Sequence, residues 1–201
     1  NNGYILGFNT ENVTYAQGRY LAINSNMIVD SFGYNQFDQS TLMYTDKLNL
    51  YSVKHTTNDT LNLLHLYLNG LEIDSESSYS FSLVVEGDKT RIGGWDSYFY
   101  DGNIAEVLIY DYELSDSELW NVHYYLSQKW GIGNTVDSDQ DGLVDDFELL
   151  IGTDPVDPDT DDDSYLDGAD YFPRDPNLSD EPTLSLYDFS SDAFGSNDDS
   201  L

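Results

Sequence analysis

The chain has no cysteine, only 7 Lys+Arg and only 3 His among its 201 residues. Without cysteine, disulfide scaffolds, zinc–cysteine sites and thiol catalysis are excluded, and the redox compartment is left unmarked. The 7 cations stand against 38 Asp+Glu, a formal net charge of -31. A field this negative argues against nucleic-acid binding, whose phosphates need Lys and Arg, and against an anionic membrane surface. Apolar runs fall far short of the ~20 residues that span a bilayer, so no membrane insertion is expected. The chain opens on Asn-Asn-Gly without Met or a signal peptide, and reads as a mature or cut piece of something longer.

What is present is aromatic and acidic. With 39% apolar residues, 17 Tyr, 9 Phe and 3 Trp, the chain can build a core, and wholesale disorder is not expected. The charge is uneven. Residues 1–136 hold 17 acids and 6 bases, whereas residues 137–201 hold 21 acids and the single base Arg174. The second part is rich in Asp, Gly, Pro and Ser and too poor in apolar side chains to form a core unaided. Two modules follow, with a boundary near Gly131–Val136.

From Gly3 to Tyr110 short apolar-alternating runs are separated by polar turns, which predicts strands at Tyr4–Phe8, Arg19–Asn24, Met27–Phe32, Leu48–His55, Leu61–Leu68, Tyr79–Val85, Thr90–Gly93 and Ala105–Tyr110. Asn69-Gly70 predicts a hairpin turn, because both central residues of that turn type need positive φ. Asp101-Gly102 predicts a second. Many short strands with regular turns predict a mainly β fold, an antiparallel sandwich or jelly roll. One helix closes it. Ser115-Asp-Ser-Glu118 is a capping box, Leu119, Val122 and Leu126 share a face, and Gly131 is a suitable stop.

Leu66-Tyr-Leu-Asn-Gly70, Arg91-Ile-Gly-Gly-Trp95, Tyr98 to Tyr110, Leu114 to Leu119 and Tyr125 to Gly131 occur in an order that resembles the C-terminal half of a bacterial laminin G-like, concanavalin A-like jelly-roll domain. The resemblance covers residues 1–131 and is specific from about Leu61. It implies an antiparallel sandwich whose opening strands are not visible before Tyr4. Either the module is an incomplete piece or another chain supplies the missing strands at an open sheet edge.

Related glucanases of that fold use two close carboxylates. Glu106 is the nearest carboxylate on a matching strand and has no acidic partner two or four residues away, so glycoside hydrolysis is not expected. His55, His65 and His123 lack Ser, Cys or metal-ligand spacing around them and read as packed or surface residues. Trp95, Tyr98, Phe99 and Tyr100 flank the Asp101-Gly102 turn. They either pack within hairpins, as sheet aromatics usually do, or form a platform on which a glycan stacks.

The acidic module carries the strongest pattern. Asp137 to Glu148 is a complete twelve-residue calcium loop. Asp137, Asp139 and Asp141 occupy positions one, three and five, and Gly142 allows the sharp turn at six. The Leu143 carbonyl serves seven, Asp145 serves nine and Glu148 chelates at twelve. Calcium is hard and takes about six to eight oxygens at about 2.3–2.6 Å, so alternate side chains of a curled loop can converge on it. A second copy starts 22 residues later, with Asp159, Asp161, Asp163, the Tyr165 carbonyl, Asp167 and Asp170 in the same register. It departs in having Ser164 in place of glycine and Asp170 in place of the longer Glu. Two Ca²⁺ ions are expected.

Each copy is followed by a Pro-marked turn, Gly152 to Pro155 and Arg174 to Pro176. Residues 137–177 thereby resemble tandem bacterial thrombospondin type 3 repeats. That resemblance implies calcium in place of a hydrophobic core, a rigid stalk between extracellular domains, and further ligands from Asp154, Asp157 and Asp175. Residues 178–201 read as an acidic linker in which Thr183–Phe189 can form one strand.

The reading that follows is a non-catalytic, extracellular, lectin-like binding or adhesion module on a calcium-stiffened stalk, secreted or at a bacterial cell surface. Its partners would be calcium and a glycan or surface protein. The alternatives are a filament or matrix subunit joined to neighbours through an open edge or the 183–189 strand, and an accessory domain of a polysaccharide-degrading enzyme. Chelation is expected to loosen residues 137–177 and leave the β-module folded.

Overall fold

The computed structural model describes residues 2–9, 19–24, 27–32, 35–36, 47–57, 62–78, 89–95, 98–99 and 102–179, with side chains described for 47–56, 63, 65–75, 92–93 and 102–179. In chain order the elements are β1 (Asn2–Asn9), β2 (Arg19–Asn24), β3 (Met27–Phe32), β4 (Asn35–Gln36), β5 (Tyr51–Thr57), β6 (Asn62–Leu68), β7 (Leu71–Ser78), β8 (Lys89–Ile92), β9 (Gly94–Trp95), β10 (Tyr98–Phe99), α1 (Asp116–Trp130) and α2 (Asp145–Ile151). Strands pair in two sheets. One runs β4-β3-β2-β1-β10-β9, with β8 also on β1, and β1 meets β10 in parallel at Tyr4 and Phe99. The other is the antiparallel meander β5-β6-β7.

The meander follows from its turn. Asn69 and Gly70 have φ of 51° and 89°, the paired positive values that a tight hairpin twist requires. The Asn69 side chain adds a bond of its own, accepting from the Leu50 amide at 2.8 Å, which draws the entry to β5 against the turn. Leu66, Tyr67 and Leu68 of β6 are buried. Tyr67 packs with Leu114 and Leu119, and Val122 lies against them.

Helix α1 forms as its caps dictate. The Glu118 amide donates to the Ser115 hydroxyl at 3.2 Å, and the Ser115 amide donates to Glu118 Oε2 at 2.8 Å. Gly131 ends the helix with φ 65°. The buried face is Leu119, His123, Leu126 and Ser127. The polar members of that face are the ones that reach the acidic loop.

The expected mainly β jelly-roll sandwich is corrected by the structure. Among residues whose side chains are described, the architecture is a three-stranded antiparallel sheet with two helices, and the larger sheet contains a parallel pair that a jelly roll lacks. The decisive departure is Ala105–Tyr110, expected as a strand, which joins no ladder. Leu108 and Ile109 are 41% and 59% exposed there and Val107 is only half-buried, so the apolar alternation of the sequence builds no buried face. A tertiary tie overrides the β-propensity: Glu106 accepts from Lys129 Nζ at 2.8 Å and from Trp130 Nε1 at 2.9 Å, fastening the segment along α1. Its carboxyl is held below the usual carboxylate range chiefly by the Lys129 bond. The expected second hairpin fails with it, since Gly102 leads into that unpaired segment; Asp101, like Tyr79–Val85 and Thr183–Phe189, lies outside the described residues.

Candidate metal centre

The loop after α1 is built by its own aspartates. Asp137 Oδ1 accepts from the Gln140 amide at 2.8 Å and Oδ2 from the Gly142 amide at 3.1 Å, which curls the chain around that carboxylate. Gln140 and Gly142 take φ of 68° and 105°, and the glycine makes the second of these inexpensive. Asp141 Oδ1 accepts from the Leu143 amide at 2.6 Å. Asp139 Oδ1 lies 3.4 Å from the Asp141 amide. Helix α2 starts immediately afterwards, and Glu148 in its first turn is brought back over the loop.

Two groups of carboxylates result. Asp137, Asp139 and Asp141 place ligand atoms within 4.8 Å of one another, and so do Asp141, Glu148 and Asp167. All five residues are buried. Asp139 Oδ2 and both carboxylate oxygens of Glu148 are buried with no hydrogen-bond partner. Burial, reinforced by the neighbouring carboxylates, pushes Asp137 up to about 6, Asp139 up to about 7 and Glu148 up to about 9. Asp141 is raised by burial and by Asp167. Crowded, buried acids, three of whose oxygens lack a donor, can hold a metal ion, whose charge offsets both penalties.

Asp145 has a different place from its ninth-position expectation. Its carboxylate accepts from the Ser138 amide at 3.0 Å, from the Ser138 hydroxyl at 3.1 Å and from the Ser127 hydroxyl of α1. It lies in neither group. Asp167 repeats the pattern, accepting from the Thr160 amide at 2.9 Å and the Thr160 hydroxyl at 2.6 Å. Each ninth-position aspartate therefore pins the second residue of its own loop.

The second loop repeats the first with one shift: its leading aspartate accepts from the fifth and sixth amides, where Asp137 accepts from the fourth and sixth. Asp159 accepts from the Asp163 amide at 3.1 Å and the Ser164 amide at 2.8 Å, and Asp163 from the Tyr165 amide at 2.9 Å. Asp162 and Ser164 take φ of 62° and 79°, so Ser164 adopts the glycine-like conformation despite its side chain. Asp159, Asp161 and Asp163 form the third group able to hold a metal ion, and they are half-buried. The Asp161 carboxyl is raised first by desolvation and then by Asp163. Asp170 stays outside the group; one of its oxygens accepts from the Phe172 amide at 2.8 Å and the other is buried without a partner. Leu143 and Tyr165 occupy the seventh positions.

Asp167 was expected in the second site, yet it sits with Asp141 and Glu148 of the first. The Gly168 amide donates to Asp141 Oδ2 at 3.1 Å, and a β-carbon on Gly168 would collide with the Asp141 carbonyl. The sequence signal was the Asp167-Gly168 pair, a carboxylate followed by the only residue that fits so close an approach. Of the earlier aromatic candidates, Trp95 and Tyr98 are register partners. The side chains of Trp95, Tyr98 and Phe99, and the whole of Tyr100, lie outside the described residues.

On its inner side the first loop abuts the meander and α1. The Asp137 amide donates to the Asn69 carbonyl at 3.1 Å, and the Glu72 amide donates to Gln140 Oε1 at 3.1 Å. Behind Ser138 lies His123, fully buried, its Nε2 at 2.7 Å from the Ser52 hydroxyl. Burial lowers that imidazole to about 4, against a smaller opposing effect of the Ser138 backbone, so it is neutral. No protein-family model, curated protein or solved structure matches the chain.

Proposed function

We propose that the two acidic loops bind calcium, one ion centred on each, and that the chain is a non-catalytic binding or adhesion module held rigid by those ions outside the cell. One observation carries the metal reading. Glu148 is fully buried and neither carboxylate oxygen has a donor, beside three further buried aspartates. An uncompensated buried carboxylate costs several kcal/mol, which a bound cation offsets. The choice of calcium rests on the donor set: all oxygens, from carboxylates on a curled loop with a positive-φ sixth residue, suit a large hard cation. The external location rests on mass action, since loops of extracellular modules bind at about 10⁻⁴–10⁻³ M and fill only where calcium is millimolar. No helix among the described residues is long and apolar enough to cross a membrane. Residues 137–177 are proposed as the stalk-like portion in the manner of thrombospondin type 3 repeats. The lectin-like part of the expectation leaned on the sandwich and is not carried forward.

Isothermal titration of the whole chain with calcium decides the reading. Two ions should bind in the millimolar range, and Asp141→Ala should abolish the first. No heat at millimolar calcium would sink it.

A further inference from the structure

The two loops are wired differently into the protein. Between Val136 and Asp145 the first loop reaches the β6–β7 hairpin and α1 through four of its residues. Asp137 bonds the Asn69 carbonyl, Ser138 lies on the His123 side, Gln140 receives the Glu72 amide and Asp145 receives the Ser127 hydroxyl. Gly70 is pressed against Asp137 so closely that a β-carbon there would overlap the Asp137 carbonyl oxygen. The second loop, among the described residues, is tied back through Gly168 to Asp141 of the first.

We infer that the first loop is a calcium-operated latch, which holds the β6–β7 hairpin and α1 together only while its ion is bound. The inference rests on the calcium reading above. Its physical basis is the position of the anchors. Asp137 is at once a member of the carboxylate group and the hairpin's hydrogen-bond donor, and Ser138 and Gln140 alternate with the group's members along the chain. Without the ion, the carboxylates of Asp137, Asp139, Asp141 and Glu148 repel one another in a dry site, and the loop relaxes by opening. The anchors move with it, because no residue separates them from the ligands. The hairpin turn, with Leu66, Tyr67 and Leu68 behind it, and the His123 face of α1 then lose their cover. This replaces the expectation that the β-module ignores chelation. It also assigns the loops separate consequences: emptying the second frees the stalk, emptying the first frees the hairpin.

Linkage makes the latch reciprocal, so a change in the hairpin must alter calcium affinity at the first loop. The test is hydrogen exchange on the full chain, with millimolar calcium and with chelator, run beside calcium titration calorimetry. On calcium removal the amides of 66–72 should lose protection by about tenfold or more. Asp161→Asn, in the second loop, should leave them protected in calcium. Gly70→Ala, which touches no ligand atom, should weaken the first site by about tenfold and spare the second. If calorimetry detects calcium binding and the 66–72 amides are equally protected without it, the latch is overturned while the calcium reading stands. If Gly70→Ala leaves the first-site affinity unchanged, the latch is likewise overturned. If no calcium binds, both fall together.

Discussion

The Ser127 hydroxyl of α1 donates to the Asp145 carboxylate at the start of α2, in a buried contact that joins the two helices across the first loop. Asp145 thereby serves as an internal brace, and the same is true of Asp167 with Thr160. The brace can be separated experimentally from the metal ligands.

Asp145→Asn is expected to keep the calcium stoichiometry and lower stability, because the amide nitrogen can only donate where the carboxylate accepted from Ser127 and Ser138. Ser127→Ala should behave alike, at about 1.5–3 kcal/mol for a lost hydrogen bond to a charged group, since Ser138 still donates to the carboxylate. Chemical denaturation at saturating calcium measures both. Loss of an ion from the calorimetric count in Asp145→Asn would make Asp145 a direct ligand instead.

Glu148→Gln should remove the first ion while preserving volume. The variant loses the charge that two unpartnered oxygens present to the site, and calcium affinity at the first loop should fall by at least about a hundredfold, the order of a charged interaction of about 3 kcal/mol. Calorimetry that still counts two ions of unchanged affinity would contradict the placement of Glu148.

Stability of the metal-free protein should fall as pH rises. Asp137, Asp139 and Glu148 have folded-state values of about 6, 7 and 9, above those of the unfolded chain, so the folded state binds more protons. Their protonated forms favour folding fully below about pH 4, and that contribution is lost as pH climbs through each folded value toward 9. Calcium competes with those protons, so its affinity should rise over the same window. Melting temperatures across pH 4–9, apo and loaded, test the sign; an apo protein that grows more stable with pH would refute it.

Ser164→Gly should strengthen the second loop. Ser164 holds φ 79°, a conformation costing a side-chain-bearing residue about 1–2 kcal/mol, partly offset by the added freedom of glycine in the unfolded chain. A net gain of about 0.5–1 kcal/mol, read as a two- to fivefold tighter second site, is the expected result. Weaker binding would mean that the Ser164 hydroxyl contributes to the ion.

Local signals were legible and long-range ones were not. The capping box of Ser115 and Glu118, the Asn69-Gly70 turn and the clustering of Asp137, Asp139 and Asp141 each depend on residues near in sequence, whose chemistry fixes their geometry. Ala105–Tyr110 has strand propensity, but its conformation is set by Glu106 reaching Lys129 and Trp130, a contact that no periodicity encodes. Asp145 and Asp167 share one motif position and differ in surroundings. Only the fold brings Asp167 beside Asp141, and only the fold sets Gly70 against Asp137. A spacing rule names the oxygens available; burial and donors decide which of them are spent on the protein.

The tie between Gly168 and Asp141 has a mechanical consequence. Tension entering from residue 179 meets the second repeat first, and that repeat is fastened through a glycine amide to a side chain of its predecessor. The first repeat is wedged between a hairpin and a helix and yields afterwards. Such a chain pays out length in two graded steps, and a force–extension trace in calcium should show the smaller rupture before the larger. If the second loop lets go first, the load should reach the hairpin and α1 only after that bond has parted.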